Sequence, residues 1–226
     1  MDISLFCEER GSGEALILLH GNGEDHSYFR HQIAHFADRY RVIAVDTRGH
    51  GKSPRGQGEF SIRRFAEDLY DFMTELGLSR AHLLGFSDGG NIALEFALKH
   101  PEMVQMLILN GANLYPPGMK LSVLLPIEIE YHLRRCFGGE SNKADLLGLM
   151  VREPQIKPEQ LKSLTMPVLV IAGTKDMIRQ RHTKLIARSL PNATLAILPG
   201  SHFVANEDPT AFNAAVDAFL SGIAVS

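Results

Sequence analysis

The chain has 226 residues, of which 45% are hydrophobic and 22% charged, and its formal net charge is -3. This length supports one sizeable core and is short for two comfortable domains. The slight negative charge, without any basic stripe, argues against nucleic acid as a partner. No apolar run approaches the ~18 residues of a membrane span, and the acidic start of the chain lacks the basic flank of a signal peptide. We therefore expect a cytoplasmic protein that has no membrane partner.

Short apolar runs alternate with helical patterns along the chain. Strands are predicted over residues 3–8, 16–19, 41–45, 81–84, 106–109, 168–172 and 194–198. Helices are predicted over residues 61–77, 178–190 and 209–220, where apolar residues recur at helical spacing. The first of these helices has a serine, Ser61, at its start and a glycine, Gly77, at its end. The alternation predicts an α/β fold, with a mostly parallel twisted sheet flanked by helices.

A serine stands at the apex of a predicted strand, turn and helix. Residues 85–89 read Gly-Phe-Ser-Asp-Gly, after an apolar strand end and before a helix-compatible run. Such a sharp turn forces the central residue into a strained conformation and leaves room only for glycines on either side, so the hydroxyl of Ser87 projects clear of the sheet. This is the pattern of a nucleophile elbow. By itself, a pattern of five residues also fits an ordinary glycine-rich turn.

Two further candidates follow later strands. Asp176 comes shortly after the predicted strand 168–172, and His202 comes shortly after the strand 194–198. Both therefore lie at the carboxyl ends of strands, where open parallel sheets place their sites. Read alone, Asp176 could cap the following helix and His202 could be a loop histidine. Together with Ser87 they supply a nucleophile, an acid and a base in the chain order Ser, Asp, His.

Four motifs in this order resemble the α/β-hydrolases, specifically the group of small esterases, haloperoxidases and C-C hydrolases. Residues 20–23 (His-Gly-Asn-Gly) are similar to the HGxG oxyanion loop of that family, and residues 46–53 resemble its D-x-R-G-x-G-x-S segment. In that segment Asp46 and Arg48 are expected to bond backbone and neighbouring loops, and His50 is not expected to act in catalysis. The resemblance runs nearly from end to end of the chain.

The resemblance assigns a role to each candidate. His202 would take the proton of Ser87, Asp176 would hold the imidazole in the required tautomer, and the serine would form an acyl-enzyme. The backbone N–H groups of Asn22 and Asp88 would stabilise the oxyanion. This chemistry requires no cofactor.

No metal site is predicted from the histidine pattern. His31 and His35 share a helix face, but the glutamate of an H-E-x-x-H motif and a third ligand are both missing.

A short helical cap is expected between two parts of the core. The resemblance predicts a hydrolase core over residues 1–114 and 165–226 and a cap over residues 115–164. A cap of about fifty residues should leave the cleft open or shallow, although its apolar residues could also simply cover the end of the sheet. At the amino-terminal edge of the sheet, residues 3–8 leave room for one strand where relatives usually have two.

Three functions fit this pattern. The preferred one is a serine hydrolase acting on small carboxylic esters or related acyl compounds. The same triad could instead serve C-C bond cleavage or cofactor-free perhydrolysis, and the fold could also carry a ligand-binding protein without catalysis. The partner is expected to be a small acyl compound, and the sequence does not indicate an oligomeric state.

Asp88 allows two interpretations, because it places a carboxylate beside the nucleophile. It could cap the elbow helix by accepting backbone N–H bonds. Alternatively, it could bind a cationic group of the substrate, such as the α-amine of an amino-acid ester, with Glu24 and Asp25 adding to an acidic mouth. The second interpretation resembles the S-D-G-G elbows of some amino-ester hydrolases.

Overall fold

A single sheet forms the centre of the molecule in the computed structural model, which describes residues 2–137 and 141–222. Within these ranges the sheet has seven strands, in the spatial order β1-β3-β2-β4-β5-β6-β7. The strands are β1 (Cys7–Arg10), β2 (Ala15–Leu19), β3 (Arg41–Val45), β4 (Ala81–Phe86), β5 (Val104–Asn110), β6 (Val168–Gly173) and β7 (Ala193–Leu198). All neighbours are parallel except β1 and β3, which confirms the predicted α/β class.

Helices cover both faces of this sheet. They are α1 (Arg30–Phe36), α2 (Ile62–Glu75), α3 (Asp88–Lys99), α4 (Leu121–Phe137), α5 (Ser141–Arg152), α6 (Gln180–Ser189), α7 (Val204–Glu207) and α8 (Pro209–Leu220). The predicted helices correspond to α2, α6 and α8, and their ends agree within two residues. At the start of α2 the hydroxyl of Ser61 accepts a hydrogen bond from the backbone N–H of Arg64 at 3.1 Å, as the cap prediction requires.

The two faces of the sheet bury separate hydrophobic clusters. All five residues of β2 are buried, and their side chains alternate between the faces. Ile17 and Leu19 join the cluster that contains residues of α2 and α3, whereas Leu16 and Leu18 join the cluster formed with α1 and α8. A parallel sheet covered on both sides buries every position of its strands, which is why this strand is uniformly apolar.

The edge strand was predicted over residues 3–8, and this position is wrong. The strand β1 begins at Cys7 and ends at Arg10, where it pairs antiparallel with residues 42–45 of β3. The first pair between the two strands joins Cys7 to Val45, the last residue of β3. Its remaining residues are charged, so the hydrophobic pattern could not locate it. The prediction of one edge strand before the oxyanion loop agrees with the described residues.

The stretch predicted as a cap contains two helices and short 3-10 turns. Helices α4 and α5 pack against each other, and the side chain of Arg152 lies over the ring of Tyr131 at 5.6 Å from its centroid. Farther along, Leu161 and Leu164 are completely buried in the cluster that also contains residues of α2 and α3. Parts of this stretch therefore pack into the hydrophobic core. Nowhere in the described ranges is a helix both long and apolar enough to cross a membrane.

Candidate active site

The strained turn at Ser87 joins β4 to α3. Ser87 has φ 52° and ψ -118°, and it is the only residue other than glycine with a positive φ in the described part of the chain. Crowding explains the two flanking glycines. A Cβ atom on Gly85 would lie 2.3 Å from the carbonyl oxygen of Gly89, and one on Gly89 would lie 2.0 Å from the carbonyl oxygen of Leu19. These geometries agree with the elbow predicted from the sequence.

Ser87, His202 and Asp176 come together at the carboxyl end of the sheet. The Nε2 atom of His202 lies 3.0 Å from Oγ of Ser87, and its Nδ1 atom lies 2.7 Å from Oδ1 of Asp176. His202 and Asp176 are buried, whereas Ser87 is half-buried. Because a carboxylate can only accept, Nδ1 carries the proton, and Nε2 is left to accept the hydroxyl proton of the serine.

Contacts that the sequence did not reveal hold the aspartate and histidine in place. The same Oδ1 atom of Asp176 accepts a hydrogen bond from the backbone N–H of Ile178 at 2.8 Å. Next to the histidine, Ser201 donates two hydrogen bonds to the carboxylate of Glu207, from its N–H at 2.7 Å and from its hydroxyl at 2.6 Å. These bonds fasten the loop of His202 to α7.

The ring of Phe86 packs against the imidazole of His202. Its centroid lies 4.8 Å from that of His202, and the same ring stacks on Tyr28 at 4.3 Å with an interplanar angle of 3°. Gly111, directly after β5, leaves the space into which the imidazole fits. A Cβ atom at Gly111 would lie 2.6 Å from Cε1 of His202. An isolated glycine after a strand is the only sequence signal that could have pointed to it.

The oxyanion loop follows β2 and faces the elbow. Within residues 2–137 and 141–222, neither the backbone N–H of Asn22 nor that of Asp88 finds an acceptor. Side chains tie the two residues together, because Nδ2 of Asn22 donates to Oδ2 of Asp88 at 2.8 Å. The same amide donates to the carbonyl of Leu146 in α5 at 3.0 Å. Asn22 therefore connects the oxyanion loop with both the elbow helix and the predicted cap.

The carboxylate of Asp88 does not form the backbone hydrogen bonds expected of a helix cap among the described residues. Its carboxylate accepts from two side-chain amides, Asn22 at 2.8 Å and Asn91 at 3.3 Å, and from no backbone N–H of the described residues. A capping side chain belongs to the residue before the helix, and that position is occupied by Ser87. Asp88 is only 8% exposed, and burial raises its pKa, against the opposing effect of the two amides. Within residues 2–137 and 141–222, no lysine or arginine forms an ion pair with Asp88.

Glu24 and Asp25, which were expected to form an acidic mouth, have different hydrogen-bond partners. Glu24 is half-buried, its Oε2 atom accepts from the backbone N–H of Gly21 at 3.2 Å, and burial raises its pKa to about 7. Asp25 instead accepts from the N–H of Ser27 at 2.8 Å and caps the short 3-10 helix His26–Phe29. Of Glu24 and Asp25, therefore, only Glu24 has a raised pKa.

The segment 46–53 has the structural role expected for it. The carboxylate of Asp46 accepts from the backbone N–H of His26 at 2.7 Å and of Lys52 at 2.8 Å. Arg48, fully buried, donates to Asp68 of α2 at 2.6 and 2.7 Å. These bonds fasten the segment 46–53 to the 3-10 helix His26–Phe29 and to α2. His50 is buried with Nδ1 3.0 Å from the carbonyl of Arg48, and it does not contact Ser87 or His202 among the described residues.

One group of possible metal ligands occurs in the described ranges. Ligand atoms of Asp25, His26 and Asp46 lie within 4.8 Å of one another. The hydrogen bonds to Asp46 already explain this group, because Oδ1 also lies 2.7 Å from Nδ1 of His26. His35, one of the pair considered from the sequence, instead lies 2.6 Å from a carboxylate oxygen of Asp217 in α8.

Comparisons with known proteins agree with this architecture. A protein of Caulobacter sp. strain K31, provisionally named carbamate hydrolase RutD, is 29% identical over 92% of this chain and 91% of its own length. The 3-oxoadipate enol-lactonase 2 of Acinetobacter baylyi is 27% identical over 91% of this chain and 88% of its own length. The crystal structure of a hydrolase from Pseudomonas aeruginosa superposes with a TM-score of 0.79 at 26% identity, and covers 96% of this chain and 94% of that one.

The family model described as alpha/beta hydrolase fold matches residues 14–135, which include the oxyanion loop and the elbow. This match covers more than half of the chain. The chain therefore belongs to the alpha/beta hydrolase fold family.

Proposed function

We propose that this protein is a serine hydrolase that cleaves small carboxylic esters or related acyl compounds through an acyl-enzyme. The observation that carries the proposal is the unbroken series of contacts from Oγ of Ser87 through the imidazole of His202 to the carboxylate of Asp176. A binding protein without catalysis has no need for a strained serine in hydrogen-bond contact with a buried histidine and acid.

Acylation follows from these contacts. His202 removes the hydroxyl proton at Nε2 while Oγ of Ser87 attacks the acyl carbon, and Asp176 stabilises the imidazolium that results. The imidazolium then returns the proton to the leaving group as the acyl bond breaks. Water activated by the same nitrogen hydrolyses the acyl-enzyme and restores the serine. None of these steps draws on a cofactor.

Backbone donors stabilise the charge that develops on the acyl oxygen. We assign this role to the N–H groups of Asp88, which directly follows the nucleophile, and of Asn22, whose side chain bonds that of Asp88; neither N–H has an acceptor among the described residues. Losing one such donor typically costs ~3 to 4 kcal/mol of transition-state stabilisation. The hydrogen bond between the Asn22 and Asp88 side chains keeps the two donors at a constant separation.

The relatives suggest the range of acyl compounds to test. One is named for carbamates and another for an enol-lactone, and both compounds contain an acyl carbon bonded to a heteroatom. A panel of p-nitrophenyl esters of increasing acyl length, a lactone and a carbamate would define the preference. Cleavage of a C-C substrate with no ester turnover would favour the C-C hydrolase alternative instead, and perhydrolysis can be assayed on the same acyl-enzyme with hydrogen peroxide.

The nucleophile is tested by substitution and labelling. Ser87→Ala, His202→Ala and Asp176→Asn should each lower kcat on p-nitrophenyl acetate by roughly 10⁴-fold, and double variants should lose little more, because the three residues act as one unit. A fluorophosphonate probe should label the wild type but not Ser87→Ala. The exposed Ser27 offers a control, since Ser27→Ala should keep both activities. Turnover by Ser87→Ala near the wild-type rate would show that the nucleophile is another residue.

A further inference from the structure

A cleft lies between helix α6 and the segment that follows β5. Its volume of ≈ 390 Å³ is within the range of about 300 to 1,000 Å³ that is typical of small-molecule sites. We call it the α6 cleft, and it is lined chiefly by Tyr115, Arg179, Arg181, His182, Leu185 and Arg188. Within the described ranges, no residue of the triad or of the oxyanion loop lines it. The cleft is therefore separate from the proposed active site.

The arginines of the α6 cleft have no acidic partners. Arg179 directly precedes α6, Arg181 and Arg188 belong to it, and none of them forms an ion pair within residues 2–137 and 141–222. Helix α6 contains no acidic residue, although the chain has a net charge of -3. Arg181, Leu185 and Arg188 follow at intervals of four and three residues, so they share one face of the helix. Because like charges repel, an anion among these guanidinium groups would be favourable.

The imidazole of His182 adds a directed hydrogen-bond donor to the cleft. His182 is only 4% exposed, and its Nε2 atom accepts the backbone N–H of Leu114 at 3.0 Å. The proton of the neutral ring is therefore on Nδ1. This nitrogen has no acceptor in the part of the chain that the structure describes, yet it is not sealed from solvent. A buried ring thus presents its N–H to the cleft that it lines.

Two of the arginines lie close to this imidazole. Burial lowers the pKa of His182 to about 4, and the charges of Arg179 and Arg181 lower it further in the same direction. A phosphate ester suits such converging donors better than a carboxylate does, because it has an additional acceptor oxygen and a larger negative charge. Guanidinium groups in particular bind phosphate through paired hydrogen bonds.

The cleft also has an apolar wall. The ring of Tyr115 meets that of His182 edge to face, with centroids 4.6 Å apart and an interplanar angle of 76°. Tyr115 and Leu185 are both half-buried, so each keeps part of its apolar surface open to the cleft. An inorganic anion would leave this surface in contact with water, whereas an organic group would cover it.

We propose that the α6 cleft binds a small organic phosphate. The phosphate group accepts hydrogen bonds from Arg179, Arg181 and Nδ1 of His182, at the amino terminus of α6, where the helix dipole favours negative charge. The organic group packs against Tyr115 and Leu185. This proposal does not depend on the proposed catalytic function.

Isothermal titration calorimetry of the full chain tests the class of ligand. Phenyl phosphate should bind with a Kd of about 1 mM or below, and inorganic phosphate should bind about tenfold more weakly because it lacks the contact with the apolar wall. Phenol should not bind at the same concentration. Tyr115→Leu should reduce the preference for phenyl phosphate over inorganic phosphate to about threefold or less. An unchanged preference in this variant would contradict the place assigned to the organic group.

Substitution of the arginines locates the phosphate. Arg179→Gln and Arg181→Gln should each weaken the binding of phenyl phosphate by about tenfold, as expected for the loss of a hydrogen bond to a charged group. Arg30→Gln gives a matched control, because Arg30 is exposed at the start of α1 and carries the same charge. It should leave binding unchanged. Circular dichroism establishes that each variant is folded.

The contact with His182 can be measured in the wild type. In nitrogen-15 NMR spectra, phenyl phosphate should shift an imidazole resonance that is missing from the spectrum of His182→Gln. Failure of the wild type to bind phenyl phosphate at about ten times the expected Kd overturns the proposal. Equal weakening by Arg30→Gln and Arg181→Gln also overturns it, because binding would then follow net charge. Flotation with phosphatidylglycerol vesicles, lost in Arg181→Gln, without binding of phenyl phosphate would assign the arginines to a lipid surface instead.

Discussion

The absence of a side chain at Gly111 leaves room for the imidazole of His202 at the proposed site. This glycine has φ +64°, and a Cβ atom there would lie 2.6 Å from Cε1 and 2.8 Å from Nδ1 of His202. The imidazole also packs against the ring of Phe86 at 4.8 Å between centroids, which limits how far it can shift. A glycine therefore fulfils two requirements, a left-handed backbone and an open space beside the proposed base.

Gly111→Ala should impair catalysis more than stability. The added methyl group displaces the imidazole from Ser87, and kcat should fall by about 100-fold, as expected for a misplacement of about 1 Å. Gly77→Ala provides the matched control, because Gly77 has φ +67° with no atom within 4 Å of the added Cβ. Both variants carry similar backbone strain, ~1 to 2 kcal/mol in urea unfolding, and only Gly111→Ala should lose activity on p-nitrophenyl acetate. Equal activity of the two variants would contradict this role.

Asp88 offers a test of substrate class. If its carboxylate binds a cationic group, an aminoacyl p-nitrophenyl ester should be cleaved with a kcat/KM roughly tenfold or more above that of its des-amino analogue, because a hydrogen bond to a charged group contributes ~1.5 to 3 kcal/mol. Asp88→Asn keeps the size and one acceptor for the amides of Asn22 and Asn91 but removes the charge. It should erase the preference. Equal rates for the two esters in the wild type would leave Asp88 as a support of the Asn22 side chain.

At the scale of elements, the amino terminus of α2 shows how the predicted cap is joined to the core. The first N–H groups of a helix need acceptors from outside it. Ser61 supplies one to Arg64, and Glu153, directly after α5, supplies another through Oε2 to the N–H of Ile62 at 2.6 Å. Burial raises the pKa of Glu153, but its position at the helix start is favourable for a negative charge.

Glu153→Ala should therefore destabilise the fold, although Glu153 makes no hydrogen bond with the triad in the described ranges. We expect a loss of ~1 kcal/mol in urea unfolding, as for other helix caps, and a similar loss for Ser61→Ala. The exposed Glu159 serves as a control, since Glu159→Ala removes the same charge without a helix partner and should change little. If Glu153→Ala is as stable as Glu159→Ala, the contact does not fasten the cap.

At the scale of the whole molecule, buried titratable groups give stability a pH dependence. Burial lowers the pKa of His20 and of His182 to about 4, and each Nε2 atom accepts a backbone N–H at 3.0 Å, from Thr47 and Leu114 respectively. Both histidines must stay neutral to accept these bonds. Their contribution is present above the unfolded pKa of about 6.5 and is lost as the pH falls toward 4. Glu24 acts in the opposite direction, because its raised pKa makes stability fall as the pH rises from about 4.5 to 7.

The effects of the histidines and of Glu24 on the free energy of unfolding partly cancel in the wild type, and single substitutions should reveal each of them. His182→Gln should remove a loss of ~1 to 2 kcal/mol that the wild type suffers between pH 7 and pH 5, although at pH 7 it is itself less stable. Glu24→Gln should become more stable relative to wild type as the pH rises from 5 to 8, by ~1 kcal/mol once solvent screening is allowed for. Urea unfolding across this range measures both, with the exposed His132→Gln as control. If the free energy of unfolding changes with pH in the same way for the wild type and all three variants, these groups are not the source of the pH dependence.

The sequence alone predicted the fold class, the positions of β2 to β7, the helices α2, α6 and α8, and the residues that meet at the proposed site. These features depend on local or repeated signals. Alternation of buried strands with amphipathic helices specifies a parallel sheet, and a parallel sheet brings the carboxyl ends of β4, β6 and β7 to one edge. Ser87, Asp176 and His202 therefore meet because each follows one of those strands, and short motifs suffice to identify them. The catalytic roles and the boundaries of the cap remain predictions.

Tertiary structure alone decided the features that depend on residues distant in the chain. The edge strand β1 is displaced from its predicted position because its ladder depends on the end of β3 rather than on its own charged sequence. Asp88 bonds Asn22, 66 residues away, instead of capping its helix, because the elbow serine occupies the capping position. The exposure of Leu125, Ile129 and Leu133 on α4 likewise depends on which side of that helix α5 covers. Sequence patterns record which residues are apolar or polar, but only packing determines what each of them faces.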